Sequence, residues 1–209
     1  MTLPYIIVFI LAYLIGAVPS SVWIGKWFYH KDVRNVGSGN AGATNTFRVL
    51  GARAGIIVLA MDVLKGVSAV MLAYYPVGIN LHSDNFIYYK LALGITAALG
   101  HIFPVYLKFK GGKGVATFLG VGLSVFWMAA LLCIVSFLLI FLTTRYVSLG
   151  SLLSSALFPI VVIFVDHYHQ LPVILFAVAI PCIIFYTHRK NIVRLLNRTE
   201  NKLSFKRNI

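Results

Sequence analysis

Of the chain's 209 residues, 60% are apolar and only 11% charged, with a mean hydropathy of +0.89. This composition excludes a soluble globular domain and points to one polytopic membrane bundle. The formal charge is +13, but the basic residues sit in gaps between apolar runs; that disfavours nucleic acid and points to loops that meet phosphorylated or anionic lipid ligands.

The first apolar run, Pro4 to Trp23, has no basic residue before it and no evident cleavage site, so it is expected to stay as a membrane helix. Lys26, Lys31 and Arg34 follow directly, which by the positive-inside rule places the N-terminus outside and the segment 26–53 in the cytoplasm. That segment holds G-S-G-N-A-G-A-T-N-T-F-R-V-L-G, residues 37–51. Gly37, Gly39 and Gly42 satisfy G-x-G-x-x-G, but no strand is there to present a dinucleotide site. The expectation is a flexible loop dense in donors, Ser38, Asn40, Thr44, Asn45 and Arg48, suited to phosphate and hydroxyl oxygens.

Two further runs, about 54–77 and 86–107, are joined by Pro76 to Asp84, a connection without lysine or arginine. Asp62 and Lys65 are three apart inside the first of them, a spacing that puts both on one helix face as a buried ion pair. His101 lies near the end of the second, where a histidine serves more often as a helix-end hydrogen bonder than as a catalyst. Next comes K-F-K-G-G-K-G-V-A-T, residues 108–117. Its glycines allow successive N–H groups to converge on one anion, Lys113 adds a point charge, and the run from Val115 is expected to start a helix whose positive end faces the same spot. It is not a Walker P-loop, because Gly114 follows Lys113.

The remaining runs are 115–142, 149–165 and 171–187. Seven basic residues stand in the tail from His188 against Glu200 alone, which makes the tail cytoplasmic. Parity then requires 115–142 to leave and re-enter on one side. Its 28 residues fall short of two full spans, so two short helices are expected, bending near Phe126 to Ala130, for an all-α bundle of seven transmembrane helices in one domain, 1–209. One long tilted helix, giving five or six segments, is the weaker alternative. His82, His167 and His169 fall in expected outside loops. Cys133 and Cys182 lie inside apolar runs with no metal spacing, so neither a disulfide nor a metal is expected.

The motifs G-S-G-N-x-G-A-T-N-x-x-R, K-G-G-K-G-V-A-T and H-R-x-N-I-x-R-L-x-x-x-x-E occur in that order across essentially the whole chain. They closely resemble the three motifs of the bacterial membrane acyl-phosphate:glycerol-3-phosphate acyltransferases, the PlsY family. One departure is Arg198, where the family commonly has glycine before the glutamate. The resemblance implies transfer of a fatty acyl group from acyl-phosphate to the 1-hydroxyl of sn-glycerol 3-phosphate, giving lysophosphatidic acid and inorganic phosphate. It also implies seven helices in a bacterial plasma membrane, a site on the cytoplasmic face, and no cofactor. By motif, Ser38, Thr44, Asn45 and Arg48 would hold phosphate or glycerol hydroxyls; Lys108, Gly111, Gly112, Lys113 and Gly114 would cradle a phosphate; Ser148, His188, Asn191 and Glu200 would complete the pocket. Partners would be the two substrates and membrane lipid, with association of the enzymes that form the acyl-phosphate and add the second acyl chain.

No histidine has aspartate five residues on, so the H-x-x-x-x-D arrangement of an unrelated acyltransferase class is absent. The expectation is substrate assistance, with a phosphate oxygen taking the hydroxyl proton; His101 or His188 as general base is the alternative. A small transporter is the competing function, but it calls for polar residues at mid-membrane and an internal repeat, whereas here the polar residues cluster at one face, only Asp62 and Lys65 lie deep, and no repeat is evident. A noncatalytic subunit of a lipid-synthesis complex is a third.

Overall fold

The structure, a computed structural model, describes residues 2–75 and 83–203. The connection expected at Pro76 to Asp84, His82 with it, and the last tail cations, Lys206 and Arg207, lie largely or wholly outside the described residues. All regular structure among the described residues is helical. The chain divides into two compact units, Met1–Val125 and Phe126–Ile209.

In the first unit the helices are α1 (Thr2–Ala17), α2 (Ser20–Tyr29), α3 (Ala43–Leu50), α4 (Ala52–Met71), α5 (Asp84–Ile102) and α6 (Val115–Val125). The first apolar run is therefore not one helix: Pro19 breaks it, and α1 and α2 meet at 45°. Proline has no N–H to continue the ladder and disfavours helical backbone in the residue before it. Residues 43–50, expected as flexible loop, are helical because Phe47 and Leu50 give the segment an apolar side, and Phe47 lies flat on Gly55 of α4.

Lipid supplies no hydrophobic drive between apolar helices, so close packing has to hold them. A Cβ on Gly16 of α1 would strike the Ala97 carbonyl of α5, and one on Gly100 would strike the Tyr13 carbonyl. The same device repeats between α4 and α6, where Gly66 meets the Thr117 carbonyl and Gly120 that of Val63. Val8, Ala12, Leu93 and Ala97 fill the seam between α1 and α5.

The second unit holds α7 (Trp127–Thr144), α8 (Val147–Phe164), α9 (Leu171–Thr187) and α10 (Arg189–Leu196). The bend expected within 115–142 falls at Phe126, whose backbone (φ −129°, ψ 63°) separates α6 from α7. The division is uneven: α6 has 11 residues but α7 has 18, so only one of the two is short. Phe126 is 2% exposed, edge-on to Phe158 at 5.9 Å and Tyr168 at 5.1 Å; such pairs contribute about 0.5–1.5 kcal/mol each beyond area burial. Its ring anchors the break one residue before α7.

Four helical segments are long and apolar enough to cross a membrane alone: Ala52–Tyr74, Asp84–Leu107, Trp127–Thr144 and Val147–Phe164. Two bent pairs, Leu3–Ala17 with Ser20–Tyr29 and Leu171–Thr187 with Arg189–Leu196, raise the number of candidate spans among the described residues to six. The protein is an all-helical, multi-pass integral membrane protein.

Candidate active site

The glycine-rich segment before α3 is folded around Asn45. This side chain is 1% exposed. Its Oδ1 accepts from the Ser38 N–H (2.8 Å) and its Nδ2 donates to the carbonyls of Val33 (2.6 Å) and Val36 (3.1 Å). Both of its donors and one acceptor position are thus spent on backbone. Gly37 and Gly39 have φ near +70°, the left-handed region that glycine enters without penalty, and a Cβ on Gly37 would strike Asn45 Oδ1. Asn45 shapes the turn that presents Ser38, while Thr44 and Arg48 stand on α3. Upstream, Asp32 accepts from the Arg34 side chain (Nη2 2.6 Å, Nε 3.0 Å), with Lys26 at 3.6 Å. The Arg34 hydrogen bond holds the Asp32 carboxyl down at about 2.

Beneath the second motif is a buried polar cluster. Lys65 Nζ donates to Asp62 Oδ1 at 2.6 Å, as their spacing foretold, and Ser20 Oγ donates to the same oxygen at 3.0 Å. His101 Nδ1 stands 3.8 Å from it. Ser20 was not evident in the sequence as a member: only the Pro19 break delivers its hydroxyl there. All four side chains are nearly inaccessible.

The glycine loop departs from expectation in an instructive way. The N–H groups of Gly111 and Gly112 donate to the carbonyls of Ile102 and His101, both at 3.1 Å, and so do not converge on an anion. Of the three glycines only Gly114 has positive φ, +85°. Gly111 and Gly112 are required for another reason: a Cβ on the first would collide with the His101 carbonyl, on the second with His101 Nε2. The loop is hung on His101, and backbone donors for an anion are left to the open N-terminal turn of α6, next to Lys113. Lys108 and Lys110 turn elsewhere, into a separate cavity that Gly111, Gly112, Lys113 and Gly114 do not line.

In the second unit Glu200 gathers three donors. Ser148 Oγ (2.8 Å) and Asn191 Nδ2 (2.6 Å) bond Oε1, and Arg194 Nε (2.8 Å) bonds Oε2. Burial pushes the carboxyl up, but the hydrogen bonds from Asn191 and Ser148 and the Arg194 charge outweigh it, and the net shift is downward. Arg194, absent from the expected site set, could have been read from the third motif, where it is six residues before Glu200. Arg198 takes the left-handed conformation (φ +58°) that glycine would adopt cheaply, so the turn to Glu200 forms despite the substitution. His188 caps α9 at the bend into α10, its Nδ1 donating to the Ile184 carbonyl at 2.8 Å.

The fold is that of a helical membrane protein, and polar segments rich in lysine, arginine and short donors lie at its helix ends, two in the first unit and one in the second, a pattern that suits a membrane enzyme of phosphorylated substrates. The family model described as glycerol-3-phosphate acyltransferase matches residues 6–198. This chain belongs to that family and is an enzyme of that class. Among its relatives, the glycerol-3-phosphate acyltransferase of Lactiplantibacillus plantarum is 47% identical, over 96% of this chain and 92% of that one. The Fusobacterium nucleatum enzyme is 45% identical, over 94% and 96%. The crystal structure of PlsY (YgiH), an integral membrane glycerol 3-phosphate acyltransferase, in its glycerol 3-phosphate form superposes with a TM-score of 0.85 at 39% identity, covering 96% of each chain. Its lysophosphatidic acid form gives 0.81 at 37% identity over the same shares.

Proposed function

We propose that this enzyme transfers a fatty acyl group from an acyl-phosphate to the 1-hydroxyl of sn-glycerol 3-phosphate, releasing lysophosphatidic acid and inorganic phosphate. The similar PlsY structures hold glycerol 3-phosphate and lysophosphatidic acid, which supports acceptor and product. The observation that supports the reading is the glycine loop, which runs through Lys113 and Gly114 directly into the open N-terminal turn of α6, a setting suited to a phosphate.

The hydroxyl oxygen attacks the acyl carbonyl carbon, the carbon–oxygen bond to phosphate breaks, and the hydroxyl proton passes to an oxygen of the departing phosphate. A mixed anhydride is already activated, so the residues position reactants and stabilise charge. The setting of His101 favours this route over a histidine base: Nδ1 faces Asp62 and Nε2 is covered by Gly112. Ser38, Thr44 and Arg48 take phosphate or glycerol oxygens in this scheme, and Lys108 attracts the anionic substrates. Gly111, Gly112 and Asn45 hold the backbone in shape; Ser148, His188, Asn191 and Glu200 serve as a binding group. Seven segments with the N-terminus outside, the six candidate spans plus α6, would put all three motifs on the cytoplasmic face, in one functional domain, within reach of the enzymes that precede and follow it.

The test is formation of lysophosphatidic acid by the purified, detergent-solubilised chain given glycerol 3-phosphate with palmitoyl-phosphate, palmitoyl-CoA or palmitoyl-acyl-carrier protein, with phosphate release followed alongside for the acyl-phosphate. Release that needs acceptor and acyl-phosphate, and is lost in Lys113→Ala, supports the reaction. Turnover with palmitoyl-CoA alone overturns the choice of donor.

A further inference from the structure

The lysine side of the second motif builds a site of its own. Lys108 and Phe109 both have left-handed backbone (φ 52° and 61°), a conformation that disfavours side-chain-bearing residues and is rare at two in succession. Three backbone bonds hold it: Lys108 to Val105, Phe109 to Pro104 and Lys110 to Leu107. The consequence is that Lys108 and Lys110 line a cavity of about 630 Å³ together with Lys26, Arg34, Trp23 and Trp27.

Its chemistry is asymmetric. Four cations face the cavity, and Asp32 is the acid that answers them, bound by Arg34 and approached by Lys26. Lys108 and Lys110 make no ion pair within 4.0 Å among the described residues. The opposite wall is apolar: Trp23 and Trp27 stack at 5.0 Å and 22°, flanked by Pro19, Val22 and Leu107. Trp27 is 64% exposed, and Phe28, Tyr106 and Phe109 are exposed around it, an aromatic collar of the kind that sits at headgroup level. A soluble anion would use the cations and leave the indoles idle. A phosphate-headed lipid uses both.

We infer that this cavity binds the phosphate headgroup of an anionic membrane lipid, a phosphomonoester such as phosphatidate, with the head on Lys108 and Lys110 and the glycerol end of its chains against Trp23 and Trp27. The inference goes beyond the proposed reaction, since neither acceptor nor donor has to occupy the cavity for the lipid to bind.

The indoles report on their own site. The chain has three tryptophans, so Trp127→Phe leaves only the two that line the cavity. Phosphatidate carrying brominated chains, added to the detergent-solubilised full-length protein, should quench their fluorescence saturably and beyond phosphatidylcholine with the same chains. Lys110→Glu should weaken the apparent affinity about tenfold, whereas Lys190→Glu, an exposed reversal elsewhere, should change it less than twofold. Equal quenching by both lipids, or equal loss in both variants, overturns the site in favour of general surface charge. Displacement by millimolar inorganic phosphate or glycerol 3-phosphate overturns it in favour of a soluble anion. Lys110→Gln, assayed for turnover, separates this idea from the proposed reaction: its KM for palmitoyl-phosphate should stay within twofold, and a KM rising in step with lost phosphatidate binding would make the cavity the donor's entrance instead.

Discussion

The imidazole of His101 occupies the space that a side chain on Gly112 would need: a Cβ there would strike Nε2 and come within 2.9 Å of both neighbouring ring carbons. Meanwhile the Gly112 N–H bonds the carbonyl of that same histidine. Histidine and glycine are therefore one fitted part. Gly112→Ala should push the loop out and lower phosphate release on the order of 100-fold, the scale associated with about 1 Å of misplacement. Shrinking the ring should give the methyl room, so His101→Ala/Gly112→Ala should lose less than the sum of the single losses, as expected for residues in contact. Additive losses would show that the two act separately.

His101→Gln tests the histidine's chemistry as distinct from its shape. A general base usually contributes 10²- to 10⁴-fold. With substrate assistance the variant should lose about tenfold or less in kcat and keep the wild-type pH profile. A loss of 1,000-fold with a flattened acidic limb would restore the base.

Asp62 accepts from both Lys65 and Ser20 in the interior of the first unit. Asp62→Asn leaves the ammonium without its counter-charge, and breaking one side of a buried pair costs about 3–5 kcal/mol. Removing both charges in Asp62→Asn/Lys65→Met should recover much of that. Thermal unfolding in detergent measures it; a double variant no more stable than Asp62→Asn would refute the pairing.

Acid should weaken both units. Asp32 and Glu200 hold their carboxyls below the ordinary range, so each binds a proton less readily folded than unfolded. The stability they contribute is complete above the unfolded values and disappears as pH falls through the folded ones. For Asp32 that window runs from 3.8 down to about 2. Melting temperatures measured from pH 7 to 2.5 should fall across it, with a shallower fall in Asp32→Asn and Glu200→Gln.

Arg198 holds a glycine's conformation. A side-chain-bearing residue pays about 1–2 kcal/mol there, partly offset by glycine's larger entropy loss on folding. Arg198→Gly should leave phosphate release intact and raise the melting temperature slightly, whereas Arg198→Val should lower both.

Much of this arrangement was legible from spacing. The three-residue step from Asp62 to Lys65 foretells a shared helix face, and arithmetic on 115–142 foretells a break near Phe126. What stayed hidden depends on contacts remote in sequence. Asn45 reads as a ligand donor until Val33 and Val36 are seen to take its amide. Lys108 and Lys110 read as one group with Lys113, because nothing in K-F-K announces two successive left-handed residues. Ser20 reads as an ordinary helix serine until Pro19 interrupts the helix.

The glycine contacts between α4 and α6 bear on the order of events in turnover. Gly66 and Gly120 bring the two backbones together with no side chain between them, so α6 has no soft layer on which to slide. The loop before it is tied at its other end to the carbonyls of His101 and Ile102. In the proposed reaction, a loop fastened at both ends would be a receptor already in shape before its guest arrives, and diffusion and charge would set the capture of phosphate.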